Sequence, residues 1–535
     1  MILLPKYFYI LFALFFLPYN IHSTLANTFI VNDSLSSSEP FYFEYIEDSL
    51  VVCYEINDDS LCQPDIINPG VDSLIFVPDR SPKIGMAVCQ GVFVNSLVWS
   101  VDKWILKRPY CSTGWKTLKD NINKGFVWDC DALSTNFVDH PYHGAQYYNA
   151  ARINGLKYTY SSLLTLLGSL EWEELAETDF PAPNDLFSTT LGGTALGEVM
   201  YRMSNIILNN RDKRLKRLGK ELLNTVVNPT YGVNRLLYGE SWRIDEQQYL
   251  YHDKNEIPYD ISISLGGRWD GSNYQDSRSN VAAQIRINYG NWTDLKHNSP
   301  FDQFITNVTL NPPAYHIPYF SDLNINARLH GWHFSKSKNY RCLFSINQDF
   351  TYLNNEKEER FKGNKSHLLH LAEPSSFGPA FYLETPCFKH LSSLNLSFIG
   401  AYTSDYYYRD YNMGSGFNFK TFNNLSVGRI VNLSLDAGFH FLFTWKGYEK
   451  DQIKKLKSDG MVPPYSFSLR QSRKAGDHGF VSFFVINPRI DIHLFSNIFA
   501  SAMAKFCFRN SIYSYHDNVK ARYKELFFSL TYKIQ

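Results

Sequence analysis

The chain has 535 residues with 52 basic and 52 acidic side chains, so its formal net charge of zero argues against nucleic acid as a partner. Aromatic residues make up 16% and charged residues only 19%. Beyond the N-terminus no uninterrupted apolar run is long enough for a conventional membrane helix, which excludes a helical bundle membrane protein and leaves room for a β-barrel.

Residues 1–26 read as a signal peptide: Lys6 precedes the apolar run YFYILFALFFLPY, and small residues at 23–26 offer a cleavage site. Residues 27–80 form an irregular or β-containing extension. Eight cysteines are present; five precede His140 and three are scattered, with no metal-site spacing. Export makes disulfides chemically possible, with Cys53 and Cys62 the nearest pair, while isolated thiols are the commoner outcome.

From about residue 81 to 245 the period is helical. The segment 83–106 is apolar but interrupted by Gln90, Asn95, Asp102 and Lys103, which points to packing in protein or at an interface rather than spanning lipid. TGWKTLKDNINKGF is a shorter helix, followed by HPYHGAQYYNAARING (140–155), then a leucine-rich helix over 161–177. A last helix follows over 184–210, with Asn184 or Asp185 expected as its N-cap after Pro183. Gly193 and Gly197 in that helix form a small-xxx-small pair suited to close helix packing.

These helices carry ionisable groups that cannot be buried alone. His140, His143, Glu173, Glu177 and Asp185 are the candidate site residues. Glu173 and Glu177, four apart, are expected on one helical face, and Glu198 and Arg202 are in the favourable order for an ion pair. Two readings remain open for the five. They form a structural polar network, or they form a catalytic site in which a histidine is the base, a carboxylate orients it and Ser188 or Thr189 is the nucleophile. A metal version with His140, His143 and the two glutamates would suit zinc or another divalent ion, although H-x-x-H across a proline lacks the H-E-x-x-H geometry. No cofactor is specified by any motif.

From about 256 to 535 the period is two. In VNLSLDAGFHFLFTW (431–445) Val431, Leu433, Leu435, Phe439, Phe441, Phe443 and Trp445 alternate with polar or small residues, and ISISLGGRW, VAAQIRINY, DLNINARLH and LFFSLTYKI repeat the pattern. About twelve such strands, short connections such as 428–430 and long polar ones after Leu353 and Trp445 predict an antiparallel transmembrane β-barrel. The aromatic run SDYYYRDY (404–411) is expected in a girdle at headgroup level. A soluble sandwich or lipid-binding barrel is the competing architecture. The terminal alternation Leu526, Phe528, Leu530, Tyr532, Ile534 looks like an outer-membrane targeting strand, except that the last residue is Gln535.

The runs GFVWDCDALSTNFVDHPYHGAQYYNAARINGLKY, GSLEWEELAET and PNDLFSTTLGGTALGEVMYRMS resemble the bacterial family known as domain of unknown function 3943, over about residues 82–240. The resemblance implies an exported, outer-membrane-associated protein and no reaction. The cysteine-containing extension before residue 80 departs from the family pattern. The expected architecture is therefore an α+β membrane protein, an N-terminal helical domain followed by an outer-membrane barrel. Outer membrane lipid and a periplasmic or envelope protein are its expected partners. The helical domain is expected to be periplasmic or to plug the barrel. Structural, binding or transport roles compete with a lipid- or glycolipid-modifying enzyme.

Overall fold

The computed structural model describes residues 82–128, 131–208, 212–242, 257–271, 278–295, 298–311, 319–337, 339–354, 369–406, 411–428, 430–458 and 475–534, and the backbone of 41–46 and 49–54. The signal peptide expected over 1–26 lies outside these residues, and of the 27–80 extension only the hairpin β1 (Phe41–Ile46) and β2 (Ser49–Tyr54) is described. Cys89, Cys111, Cys342, Cys387 and Cys507 are free thiols.

The helical part begins with α1 (Ile84–Ser100) and continues through α2 (Trp115–Lys124), α3 (His140–Arg152), α4 (Tyr158–Glu171), α5 (Pro183–Phe187), α6 (Gly193–Ile207), α7 (Arg214–Val227) and α8 (Pro229–Leu237). Pro183 takes the first helical position of α5 behind the N-cap Ala182, so the chain enters this helix two residues earlier than an Asn184 cap would give and three earlier than an Asp185 cap. Among the described residues four single π-turns interrupt the helices, at Val101–Ile105, Thr135–Asp139, Trp172–Ala176 and Ser188–Gly192.

α3 and α6 cross at contact distance because both are glycine there. A Cβ on Gly144 would lie 1.9 Å from the Thr189 carbonyl oxygen, and one on Gly193 would lie 2.6 Å from the Gly144 backbone. The small-residue pair of α6 thus receives α3, with Gly197 seated against the Tyr148 ring.

Twelve antiparallel strands, β3 (Tyr259–Gly271) to β14 (Val519–Ile534), close into a barrel through β14 and β3, from Ile534↔Ile261 to Lys524↔Gly271. Connections at the end bearing the barrel's two termini are short over 337–340, 385–387, 428–430 and 496–497. The opposite end carries the long one over 445–478, which includes α9 (Lys450–Ser458).

Side-chain parity separates lumen from outer wall. Arg286 reaches across from β4 (Arg278–Tyr289) to Asp436 on β11 (Val431–Thr444) at 3.0 Å, and Lys420 on β10 (Tyr411–Val427) meets Asp349 on β7 (Arg341–Asn354) at 2.6 Å. These strands are not neighbours, so the pairs cross the lumen. The residues between them point outward, and Leu265, Leu396, Phe398, Phe443, Phe528 and Leu530 are exposed there. Polar inside and apolar outside is the reverse of a soluble barrel and fits a wall facing lipid.

The lumen is filled. Toward the end with short turns, Trp292 and Leu295 from the connection after β4 tuck in among Leu343, Ala380, Tyr382 and Leu391. Toward the long-loop end Leu353, Leu371, Tyr402, Leu442, Phe483 and Tyr523 form a second apolar layer. The lumen also holds ion pairs, including Arg268–Glu525 at 2.9 Å and Lys505–Asp322, and a space of about 60 Å³ lined by Arg286, Asp322, Lys420 and Asp436.

The helical domain does not plug this barrel. Leu133, Phe137, Val138, Ala195, Val199 and Met203 pack on Tyr289, Phe304, Ile325, Phe350, Tyr352 and Met413, and these barrel residues have outward parity. The bundle therefore covers the outer wall from β4 to β10 and not the lumen, so of the two expected placements, periplasmic or lumenal plug, the plug is not formed. Tyr411 is correspondingly buried under the bundle, where its hydroxyl accepts from Asn136 at 2.6 Å and donates to the Asp131 carbonyl at 2.8 Å, and so does not stand in an aromatic girdle.

Two outcomes follow. Purified protein in planar bilayers should give no steady porin-like conductance; an open ohmic channel in the wild-type chain would contradict a filled lumen. Gly144→Ala should destabilise the bundle by about 1–3 kcal/mol, the usual cost of forcing an atom into packed structure, read as a lowered midpoint of thermal unfolding in detergent.

Candidate functional site

The polar residues of the bundle divide into two sets. The first is a closed network around Glu198, which is fully buried. It accepts from Tyr148 Oη at 2.6 Å, from Arg152 Nε at 2.9 Å and from Arg202 Nε at 2.8 Å. Burial alone would raise the Glu198 carboxyl, but the two guanidinium groups outweigh it and hold it down at about 2. Arg202 also donates to Asp302 at 2.9 Å and to the Pro300 carbonyl at 3.0 Å, which ties the bundle to the barrel. The ion pair expected from the i,i+4 spacing of Glu198 and Arg202 is present and has a structural role.

The second set lines a cavity of about 500 Å³ between α1, α3, α8 and the π-turns. A π-turn inserts one residue and turns the following face, which is how Asp102, Thr135, Asp139 and Trp172 come to border the same space. Part of the lining is apolar, with Phe93, Val94, Leu97 and Val98 of α1 and Val233 and Leu237 of α8. Another part is rich in acceptors, with Asp102, Asp131, Asp139, Glu177 and Asp179, and has Arg108 as its guanidinium.

Of the five residues singled out from the sequence, His140, His143 and Glu177 line this cavity, whereas Glu173 and Asp185 do not. His140 stands between Thr189, at 3.3 Å from Nδ1, and Asp185, at 3.6 Å from Nε2. Thr189 is 3% exposed and lies off the cavity, as does Ser188, whose hydroxyl donates to the Asn136 carbonyl. The expected hydroxyl nucleophile is therefore walled off from any molecule held there.

His143 bonds Tyr147 Oη at 2.8 Å and sets its ring edge against Trp172. Burial, and then the neighbouring His140, push its pKa down to about 3. A neutral imidazole of that kind is a weak base near pH 7.

The two glutamates do not share a helical face. The π-turn ends the helix at Ala176 and leaves Glu177 in extended backbone, where its carboxylate accepts from Trp172 Nε1. Glu173 accepts from the Ala182 backbone N–H at 2.9 Å. They remain close enough to interact, and burial followed by the Glu173 charge raises the Glu177 carboxyl well above the usual range.

Among the described residues no three His, Cys, Asp or Glu side chains cluster so as to hold a metal ion. The two-histidine, two-glutamate metal site is thus not assembled, since each of these groups is turned to a protein partner.

Sequence reasoning passed over Asp139, whose carboxyl burial pushes up to about 7, together with Asp131 and Asp179. The readable signal was their position: each aspartate flanks a quoted motif, in WDCDALSTNFVDH and AETDF.

The two sets should separate experimentally. Glu198→Ala leaves Arg152 and Arg202 without their shared carboxylate and should cost about 3–5 kcal/mol, the typical loss when one partner of a buried pair is removed. Glu177→Gln should leave folding intact. Protein yield and thermal unfolding of both variants measure this, and equal losses would erase the distinction.

No curated protein matches this sequence significantly. Similar solved structures include the NanC porin, at 8% identity over 52% of this chain and 100% of that chain, with a TM-score of 0.23. The outer membrane channel DcaP of Acinetobacter baumannii matches at 7% identity over 53% of this chain and 99% of that one, with a TM-score of 0.21. OprD of Pseudomonas aeruginosa matches at 7% identity over 52% and 95%, with a TM-score of 0.22. At such scores the likenesses carry no argument, and the barrel stands on its own strand register. Residues 125–230, which hold α3 to α7 and the cavity residues Asp131, Asp139, Glu177 and Asp179, match the family model described as Domain of unknown function (DUF3943), the family resembled in the sequence, over a shorter span than 82–240.

Proposed function

We propose that this is an outer-membrane binding protein, in which the closed barrel is the anchor and the helical bundle on its wall holds an amphipathic molecule of the bilayer. The observation that carries this reading is the cavity of about 500 Å³ with its apolar and acceptor-rich lining, within the range of small-molecule sites. Its apolar lining accepts hydrocarbon. The acceptor-rich part offers carboxylates, which when ionised only accept hydrogen bonds, so the matching head group is rich in donors, such as an amine or a polyol. Short turns at the terminal end of the barrel and long loops at the other support placing the covered half of the wall, near Tyr352, Ala372 and Met413, toward the outer leaflet.

A filled lumen disfavours transport through the barrel. The enzyme reading keeps one supporting observation, His140 between Thr189 and Asp185 at the cavity edge. With the hydroxyl enclosed, such chemistry would use His140 or Asp139 for proton transfer to a bound head group.

Mass spectrometry of lipid extracted from purified protein tests the binding reading. Val98→Trp with Val233→Trp should remove a specific co-purified amphiphile without changing heat-modifiable migration; an unchanged lipid complement would sink the proposal. Retention of an amine-headed molecule should rise as pH passes upward through about 7, because the Asp139 carboxyl ionises in that range. His140→Ala should leave the cellular lipid profile unchanged if the protein only binds, and an altered profile would favour the enzyme.

A further inference from the structure

Outside the cavity, the most unusual feature is the inverted amphipathicity of α7. Leu215, Leu218, Leu222, Leu223 and Val226 recur at i, i+3, i+7, i+8 and i+11, and all face away from the protein, with exposures from 44% to 82%. The polar residues face inward instead. Arg217 donates to the Ser241 carbonyl at 2.8 Å, Glu221 pairs with Arg235 at 2.7 Å, and Asn224 is buried. A helix in water would bury the leucines; this one spends its inward face on fixed polar contacts and leaves a continuous apolar stripe outside.

We propose that α7 lies in the plane of the membrane surface, its leucine stripe in the acyl boundary of an anionic lipid surface, and so sets the depth at which the bundle rests. Three observations select lipid over other occupants. The bundle that carries α7 is seated on the lipid-facing wall of the barrel, which brings its exposed apolar residues to a membrane environment. Lys213, Arg214 and Lys216 are exposed beside the stripe, where long basic side chains reach phosphate head groups while their stems stay apolar. Beyond α8, Tyr238 and Trp242 are exposed, residue types that favour the interface. A second copy meeting this face by two-fold symmetry would set the same basic residues against one another, which disfavours self-association.

The test uses the full chain in vesicles of phosphatidylethanolamine and phosphatidylglycerol, with a photo-crosslinking residue replacing Leu218, Leu222 or Lys213. Lipid adducts at Leu218 and Leu222 should exceed those at Lys213 several-fold. Adducts to a second chain, or lipid adducts no more frequent than at Lys213, would overturn the proposal. In a second arm, Lys213→Glu with Arg214→Glu should lower the lipid adduct at Leu222 in those vesicles and leave it unchanged in pure phosphatidylcholine. Equal yields from the charge-reversed and parent chains in both vesicles would overturn the anionic-surface requirement. Because both arms probe α7 and leave the cavity untouched, they fail independently of the amphiphile-binding proposal.

Discussion

A β-sheet in hydrocarbon can leave no edge unpaired, and the β14–β3 ladder removes the last one. Closure imposes the strict parity seen around the wall, since each strand must give one face to lipid and one to the lumen. The lumen face then carries the polar side chains, and in this barrel they pair across the interior until little space remains. Pairs such as Lys420–Asp349 and Arg286–Asp436 join strands that are not neighbours, and each buried charge needs its partner, so they brace the barrel from inside.

The helical bundle is a consequence of the same wall. Between helices and a lipid-facing strand the hydrophobic effect offers little net drive, because lipid is as apolar as leucine. Docking is specified by shape and by a few polar contacts. Tyr158 donates to Gln348, a polar residue with outward parity that lipid alone would not tolerate well. Arg202 reaches Asp302, and Asn136 reaches the Tyr411 hydroxyl. Glu198 stabilises the arginine that makes one of these contacts, so the network inside the bundle and its attachment to the barrel are one system.

The cavity is bordered by α1, α8 and π-turns that redirect side chains, and it meets the attachment in the 131–139 segment, where Asp131 lines the cavity and its carbonyl accepts from Tyr411. Charged residues of similar appearance differ by their surroundings. Glu198 is held low by two arginines in a closed network, whereas Asp139 is raised by burial at an open border. The closed network and the cavity lining divide within one helix, with Arg152 on one face of α3 and His143 on the other.

The sequence by itself determined the elements whose signal is local. Alternation in 431–445 specified a strand with one apolar face, the repeated pattern specified a barrel of about twelve strands, and Gly193 with Gly197 specified a close helix crossing. It also singled out His140, His143, Glu173, Glu177 and Asp185, since ionisable groups on apolar helices must converge on partners or water, and of these the structure puts His140, His143 and Glu177 on one cavity. Only the tertiary structure decided which side of the barrel the helices occupy, because an apolar outward residue reads the same whether lipid or a helix covers it. It alone separated Glu173 from Glu177 as well, since the spacing assumes an uninterrupted α-helix and a π-turn changes the direction of every residue after it.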